Sequence, residues 1–294
     1  MAEAKTCRGQ IINQVAKFDC KADSAAQQQQ PRARGAAFLR VSAGLDGQTG
    51  LADLRQSGSL KLVFPRSYRR GAEAIIVNTA GGITGGDRFS LRAEIGHGAS
   101  LCLTTQAAER AYRAQPHEVG RLETHARLCT GARLNWLPQE MIIFDHAALH
   151  RRLEVDMADD SSLLLVEPLV FGRAAMRERL NNINFKDRIV VRRNARPIFV
   201  DGIDLAADAS AHLARAATGA GAGAMASLVF VDTKAAGQLA HIRSLLPATA
   251  GASMIAADIL VLRMLAADSF ELRCNLVPIL DHLTQNSLPV SWRL

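Results

Sequence analysis

Asn78-Thr79-Ala80-Gly81-Gly82-Ile83-Thr84-Gly85-Gly86-Asp87 holds two pairs of glycines and ends in a carboxylate. An apolar run, Ala74-Ile75-Ile76-Val77, precedes it, and the alternating run Arg88-Phe89-Ser90-Leu91-Arg92-Ala93-Glu94-Ile95 follows it. Paired glycines are most useful where the backbone takes a positive φ or approaches another group closely. Because strand patterns lie on both sides, we predict a tight β-connection that presents Asp87.

A phosphate-binding loop is the alternative interpretation of these glycines. A P-loop requires a lysine after its last glycine, and the dinucleotide fingerprint requires the spacing GxGxxG; this stretch has neither. A strand pattern follows the glycines, so no helix N-terminus is offered to an anion. Asp87 would also repel a phosphate. The sequence therefore favours a structural connection over a nucleotide site.

Alternation with a period of two extends outward from this loop along the chain. Apolar residues take every second position in 88–95, 121–129 and 149–157, as expected of half-buried strands. Further strands are predicted at 36–43, 59–64, 73–78, 99–104, 132–137, 162–170, 188–193 and 197–201. The connections are too short for helical crossovers, which argues against a Rossmann sheet. We predict a mainly β fold, with a β-rich body of many short strands up to about residue 205.

The pattern changes after about residue 205, where helical spacing appears. The expected elements are helices at 209–217, 232–246 and 269–284, with strands at 226–231 and 253–265. Asp232 or Thr233 is predicted as the N-cap of the second helix, and Pro278 predicts a kink or a late start in the third. We expect residues 206–294 to form a strand-and-helix layer on the body, so that 35–294 is one domain.

Residues 1–34 are predicted to be a disordered tail, since the segment ends in the polar tract Gln27-Gln28-Gln29-Gln30-Pro31. The five cysteines are widely spaced without a CxxC motif, as is typical of a reducing compartment. No secretory signal pattern is visible, and no apolar run approaches the roughly 20 residues that span a bilayer. We expect a soluble, cytoplasmic protein without membrane contact.

The chain is basic, with a formal net charge of +7 over 294 residues. A basic balance suggests nucleic acid or an acidic protein as partner. No aromatic-interleaved RNA-binding motif or basic helix is present, so we expect an acidic protein and no nucleic acid. The dense basic stretches, 66–70 and 188–196, are candidate docking surfaces; the alternative is an ordinary solvated face.

Three carboxylates stand in apolar surroundings and are candidates for chemistry. Glu140 and Asp145 lie in Trp136-Leu137-Pro138-Gln139-Glu140-Met141-Ile142-Ile143-Phe144-Asp145, and Glu167 interrupts the apolar run 163–171. A carboxylate in such a setting needs a partner, so an ion pair or a metal contact is expected unless the segment is a solvated loop. Arg173 is a bidentate partner for either Glu167 or Glu178.

Enzyme signatures are weak. The sequence has no GxSxG elbow, no Cys/His arrangement with catalytic context and no zinc spacing. His146 and His150 could share a helix face as a metal pair, but His150 opens the alternating run 149–157. We therefore predict no enzymatic activity. The alternatives are a β-scaffold enzyme that uses Asp87 and Glu140 as an acid-base pair, and a generic binding module.

Five segments in order resemble the urease accessory protein D family, UreD, also called UreH. They are Val77 to Arg88; Thr104-Thr105-Gln106-Ala107-Ala108-Glu109-Arg110-Ala111-Tyr112-Arg113; Trp136-Leu137-Pro138-Gln139-Glu140 through Phe144-Asp145; Gly172-Arg173-Ala174-Ala175-Met176; and Leu288 to Leu294. The motif positions are Asn78, Gly81, Gly82, Gly85, Gly86, Thr105, Gln106, Tyr112, Gln139 and Arg173. Two departures are Thr79, where many members have Pro, and Arg177, where the family usually has Gly before the Glu.

The resemblance implies a β-helix-like body with a few helices, mostly toward the C-terminus, and a non-enzymatic role in urease maturation. It further implies binding to the helical accessory protein UreF, to the nickel GTPase UreG through UreF, and to apo-urease. The expected oligomer is a dimer within the accessory complex. No tightly bound cofactor is implied, but Ni²⁺ would pass transiently through the interior.

We expect Asp87, Glu140, Asp145 and Glu167 to be the stations of that nickel path. Carboxylates hold Ni²⁺ less firmly than imidazole or thiolate, which suits transit. The competing interpretation is that these carboxylates brace turns.

Overall fold

The computed structural model describes residues 30–66 and 70–293. The chain from Arg32 onward forms one compact unit. Most of the predicted tail, 1–34, and the centre of the basic stretch 66–70 lie outside the described residues. Arg34 is already the first residue of a strand.

Two sheets contain all seventeen strands of the described chain, and β7 and β10 belong to the second sheet through the pairing of β10 with β12. The strands are β1 (Arg34–Ala43), β2 (Thr49–Gly58), β3 (Leu60–Val63), β4 (Ala72–Asn78), β5 (Arg88–Ile95), β6 (Ser100–Thr105), β7 (Glu109–Ala111), β8 (Gly120–Leu128), β9 (Arg133–Leu137), β10 (Met141–Ile143), β11 (Ala148–Met157), β12 (Ser162–Phe171), β13 (Ile183–Arg193), β14 (Arg196–Ala207), β15 (Ala224–Val231), β16 (Ala250–Ala256) and β17 (Ile259–Ala266). The helices are α1 (Ala209–Leu213), α2 (Ala235–Ser244) and α3 (Ser269–Leu283), with 3-10 turns at Ala174–Met176 and Val290–Trp292.

The chain winds alternately through the two sheets. The first sheet has the order β14-β13-β11-β8-β5-β1-β2, and the second has the order β16-β17-β15-β12-β9-β6-β4-β3. From β4 to β13 the chain passes back and forth between them, so β5, β8, β11 and β13 pair in parallel. Strands β4, β6, β9 and β12 do the same. This solenoid winding gives parallel sheets with short connections, and the predicted β-helix-like fold is confirmed.

The space between the sheets is the main core, and the predicted alternation places the correct residues there. Strand β5 buries Phe89, Leu91, Ala93 and Ile95 against the second sheet. The second sheet is buried on both faces, which explains the continuous apolar run in β12. Leu163 and Leu165 belong to the core between the sheets, whereas Leu164 and Val166 face the helices.

The C-terminal helices cover the outer face of the second sheet. Leu272, Leu276 and Leu280 of α3 are fully buried against that face. The late start that Pro278 predicted is wrong, because α3 begins at Ser269, where the Asp268 carboxylate accepts a hydrogen bond from the Glu271 backbone N–H at 2.9 Å. None of the helices among the described residues combines the length and apolar character needed to cross a membrane.

The predicted ends of the other two helices also need correction. The N-cap of α2 is Lys234, and not Asp232 or Thr233, because the Asp232 carboxylate instead binds the Lys234 backbone N–H at 2.8 Å in a turn. Helix α1 ends at Leu213, four residues before the predicted end. The positive φ of Ala220 and Gly221 beyond it belongs to the turns that lead to β15.

Candidate functional site

The glycine-rich loop carries the chain from β4 in the second sheet to β5 in the first sheet. It is therefore a tight β-connection, as predicted, but between sheets and not within a hairpin. Gly82 has a φ of +154°, and a Cβ there would lie 2.2 Å from the Tyr112 ring. Asn78 holds the turn by donating to the Gly82 carbonyl at 2.9 Å. These contacts account for the glycine and for two other motif residues.

Asp87 is buried at the end of this loop, and each of its carboxylate oxygens accepts a hydrogen bond. One oxygen accepts from the Ala33 backbone N–H and the other from the Thr84 backbone N–H, both at 2.8 Å. The side chain joins the chain entering β1 to the turn before β5. This geometry matches the turn-bracing interpretation; a nickel role for Asp87 stays a prediction.

Glu140 is buried, so the solvated alternative is wrong for this residue. Its two oxygens lie 3.0 and 3.3 Å from one terminal nitrogen of Arg273 on α3. The same nitrogen donates to the Gln139 side-chain oxygen at 2.7 Å, and the other donates to the Trp292 carbonyl at 2.9 Å. Glu140 and Gln139 thus fix the C-terminal layer to the body.

Asp145 organises the loop before β13. One carboxylate oxygen accepts from the backbone N–H groups of Asn181 and Asn182 at 2.8 and 3.1 Å, and the other lies 2.9 Å from the His146 ring. Burial pushes the pKa of Asp145 upward, but these backbone hydrogen bonds and His146 outweigh it, so the pKa is lowered. Asp145 is consequently an ionised acceptor within a turn.

Arg173 pairs with Glu178 and not with Glu167. Two parallel hydrogen bonds, 2.8 and 2.9 Å long, join the guanidinium to the carboxylate. The guanidinium also lies 4.4 Å from the centre of the Phe144 ring, a cation-π arrangement. Arg177, which departs from the family pattern, takes a left-handed conformation with φ of 49°. Glycine adopts this backbone without strain, so a glycine would fit this position.

Glu167 lies between the sheets in a cluster of charges. The Trp136 indole N–H donates to one oxygen at 2.6 Å, and a terminal nitrogen of Arg151 lies 2.6 Å from the other. Arg151 also binds Asp187 through two nitrogens, at 3.0 and 2.5 Å. We call Glu167, Arg151 and Asp187 the interior triad. It contains two carboxylates and one cation, so with both carboxylates ionised it carries one net negative charge.

Burial dominates the electrostatics of the interior triad. It raises the pKa of Glu167 to about 7, since the attraction of Arg151 is partly offset by the repulsion of Asp187. Burial alone would lower the pKa of Arg151, but the two carboxylates raise it. The guanidinium is therefore permanently charged, while Glu167 exchanges its proton near neutral pH.

Glu167 lines two internal cavities. One, of about 60 Å³, extends past Trp136 to the motif residues Asn78, Thr105 and Gln139 and to Glu109. The other, of about 10 Å³, lies on the side of Asp187, Asp201 and Ser227. Burial raises the pKa of Glu109, although hydrogen bonds from Arg110 and Asn78 oppose the rise. The acidic groups Glu109 and Glu167 therefore line the larger cavity, and Glu167 and Asp187 line the smaller one.

The family follows from sequence comparisons. The family model described as UreD urease accessory protein matches residues 33–293. The chain belongs to the UreD family. It is 52% identical over 246 residues to the urease accessory protein UreD of Ruegeria pomeroyi, covering 84% of this chain and 96% of that protein. It is 48% identical to the UreD of Roseobacter denitrificans (90% and 96% covered) and 39% identical to that of Rhizobium rhizogenes (92% and 99% covered).

Other UreD motif residues hold the loops at one end of the solenoid. The Thr105 hydroxyl accepts from the Gln139 backbone N–H at 2.8 Å, and the Gln106 N–H donates to the Ile76 carbonyl at 3.0 Å. The Tyr112 ring packs edge-on against Phe144 with centroids 5.0 Å apart. These motif residues are therefore structural supports, and two of them, Thr105 and Gln139, also line the larger cavity.

Sequence reasoning placed Glu167 in an apolar setting but missed Glu109, Arg151 and Asp187. A usable signal existed, because the alternation of 149–157 already puts Arg151 on the same face as Leu149 and Leu153. A cation on a buried face requires carboxylates across the core.

The histidine pair does not form a helical metal site. His146 lies in a turn with φ of +63°, and His150 lies on β11, 3.2 Å from the Asn184 side-chain oxygen. Across residues 30–66 and 70–293, no group of three or more His, Cys, Asp and Glu side chains is placed to hold a metal ion.

Proposed function

We propose that this chain is a non-enzymatic urease maturation factor through whose interior Ni²⁺ passes toward apo-urease. The accessory partners in this proposal are UreF and, through UreF, UreG, in a complex that contains two copies of the chain. Membership of the UreD family supports the maturation role. The observation that carries the nickel step is the interior triad, which has one carboxylate more than it has cations.

The net negative charge of the interior triad attracts a cation, but the triad does not bind that cation tightly. At neutral pH Glu167 gives up its proton readily, so an arriving cation can replace that proton. Arg151 remains charged 2.6 Å from the same carboxylate, and its repulsion weakens the binding of a second cation. Oxygen ligands alone also hold Ni²⁺ weakly. Both effects favour release over storage.

The position of Glu167 between two cavities supports a path through the interior. Motif residues Asn78, Thr105 and Gln139 line the larger cavity, and Asp201 lines the smaller one at a partly exposed strand. In this proposal Glu109, Glu167 and Asp187 are successive stations. Asp87, Glu140 and Asp145 line neither of these two cavities, and in this proposal they support the walls.

An acid-base enzyme that uses Asp87 and Glu140 receives no geometric support. Asp87 is bound to backbone N–H groups near β1, whereas Glu140 is bound to Arg273 of the C-terminal layer. No hydrogen bond or ion pair links the two within the described part of the chain. We further propose a cytoplasmic location, consistent with Cys129 and Cys274 being free thiols.

The test is a co-expression experiment with urease and its accessory proteins. Glu167→Gln keeps the side chain's shape but removes the charge that would attract a cation. We expect the variant to co-purify with UreF and UreG as the wild type does, while the nickel content of urease falls severalfold. Nickel per urease active site is measured by atomic absorption.

Glu154→Gln is the matched control. Glu154 lies on β11 on the outer side of the first sheet and pairs with Arg152 and Arg192. The same chemical change there leaves the interior untouched, so full nickel loading is expected. Normal nickel loading of urease in the presence of Glu167→Gln would contradict the nickel path. If the folded wild-type chain did not bind UreF, that result would contradict the proposed maturation complex.

A further inference from the structure

The outer face of the first sheet carries a row of cations in register. Pairing of β1 with β5, β5 with β8, β8 with β11 and β11 with β13 places Arg34, Arg88, Arg121, His150 and Lys186 side by side. We infer that this cationic row docks an acidic segment of a partner protein. The inference concerns a surface and does not depend on nickel passing through the interior.

Three members of the row have no internal charge partner. The guanidinium groups of Arg34, Arg88 and Arg121 are exposed and make no ion pair or hydrogen bond with any residue that the structure describes. Lys186 lies 3.2 Å from Asp204, and the His150 ring lies 3.2 Å from Asn184. The carboxylate beside Arg88 in the chain, Asp87, is buried on backbone N–H groups.

A second row on the same face combines cations with anions, and we call it the alternating row. Six positions further along the strands, Arg40, Glu94, Arg127, Asp156 and Arg192 lie in register with alternating sign. Arg40 lies 2.7 Å from Glu94, and Arg192 lies 3.7 Å from Asp156. Neighbouring charges therefore alternate in sign at one end of the sheet, whereas three arginines lie side by side at the other.

Like charges at directly opposed positions destabilise a sheet. Neighbouring strands are about 4.8 Å apart, so the three unpaired arginines repeat across roughly 10 Å. Such a row lowers stability unless an anion is bound. Arginine binds carboxylates through two parallel hydrogen bonds, which suits it to a line of Asp or Glu side chains.

The surroundings favour an acidic protein segment over nucleic acid. Exposed Glu123 stands two residues from Arg121 on the same face, and Glu94, Glu154 and Asp156 lie further along. A nucleic acid carries negative charge continuously over a surface wider than one row, so it would meet these carboxylates. A strand or helix turn with a single line of acidic side chains contacts only the cationic row.

The test compares two triple variants of equal charge change. Arg34→Gln/Arg88→Gln/Arg121→Gln neutralises the cationic row, and Arg40→Gln/Arg127→Gln/Arg192→Gln neutralises the alternating row. The probe is a fluorescein-labelled decaglutamate peptide, and binding is measured by fluorescence anisotropy at several salt concentrations. We expect the first variant to weaken binding at least tenfold and the second to weaken it less than threefold.

Thermal unfolding supplies an independent readout. Removing unpaired like charges is expected to leave Tm unchanged or to raise it, whereas breaking the alternating row is expected to lower Tm. Equal losses of peptide binding in the two variants, or absence of decaglutamate binding by the wild type, would overturn the inference. Tighter binding of the wild type to a 20-base-pair DNA at the same salt would overturn it in favour of nucleic acid.

Discussion

Glu167 and Glu140 are buried to nearly the same extent, at 4% and 5% exposure, and each faces an arginine. The two sites differ in which other groups bind the arginine. Glu140 shares Arg273 with the uncharged Gln139 and the Trp292 carbonyl. Glu167 shares Arg151 with a second carboxylate, Asp187. The two carboxylates are thus buried alike, and the sites differ in the balance of charge and in the greater exposure of Arg273.

The balance of buried charge decides whether an ion pair only holds the fold together or also takes up a proton or another cation. A buried pair with matched charges is neutral, so its role is to hold α3 against the body. A buried triad with an unmatched carboxylate must take up a proton or another cation, and the pKa of Glu167 is raised accordingly. In this molecule the count of buried charges, rather than the presence of a carboxylate, marks the candidate site.

Removing Arg151, which Glu167 and Asp187 share, should have the largest effect on stability. Arg151→Met leaves two carboxylates buried without their cation, so we expect the free energy of unfolding to fall by about 3–5 kcal/mol. Urea denaturation at pH 7 measures it. Arg273→Met strands one buried carboxylate, Glu140, beside a partly exposed arginine position that water can enter, so it should cost less, about 1–3 kcal/mol. Equal costs for the two variants would show that the charge balance does not matter.

The difference in charge balance between the two sites should also appear in the pH dependence of stability. The pKa of Glu167 is raised from 4.5 to about 7 in the folded chain, so the folded state binds the proton more tightly. The resulting stabilisation is complete below about pH 4.5 and is lost as pH rises through about 7. By linkage, a shift of this size corresponds to about 3 kcal/mol.

Glu167→Gln should therefore flatten the unfolding free energy between pH 5 and 7.5, and urea titrations across that range measure the slope. Glu154→Gln is the control and should retain the wild-type slope, because, despite partial burial, hydrogen bonds to Arg152 and Arg192 lower the pKa of Glu154 from 4.5, so it titrates below this range. A Glu167→Gln slope that equals the wild-type slope would assign the pH dependence to another group.

Much of the fold could be predicted because it depends on local periodicity. The alternation in β5, β8 and β11 fixed which side chains are buried, and the short connections excluded helical crossovers. Sequence could not assign each strand to one of the two sheets, since that depends on which distant strands pair. The predicted β14 segment, 197–201, accordingly ended six residues too early, because pairing with β13 extends it to Ala207.

The site was less predictable because it depends on contacts across the core. Glu167 stood out in an apolar run, but its partners Arg151 and Asp187 lie on other strands of the opposite sheet. Arg173 looked like a suitable partner on spacing alone, yet it closes a local turn with Glu178. The predicted N-cap of α2 was wrong for a related reason, since the Asp232 carboxylate makes a competing hydrogen bond in the turn before α2.

The smallest effect should come from Asp87, whose charge is satisfied locally. Asp87→Asn replaces one acceptor oxygen by an N–H₂ group, so one of the Ala33 and Thr84 backbone N–H groups loses its acceptor. We expect a loss of about 1–2 kcal/mol in the free energy of unfolding, measured by urea denaturation, with urease still loaded with nickel wherever the chain remains folded. Glu167→Gln should behave in the opposite way, with nickel lost from urease while the fold is kept. If Asp87→Asn instead preserved stability and lowered nickel loading, Asp87 would belong with Glu167, and a position outside the two cavities would no longer separate turn braces from stations.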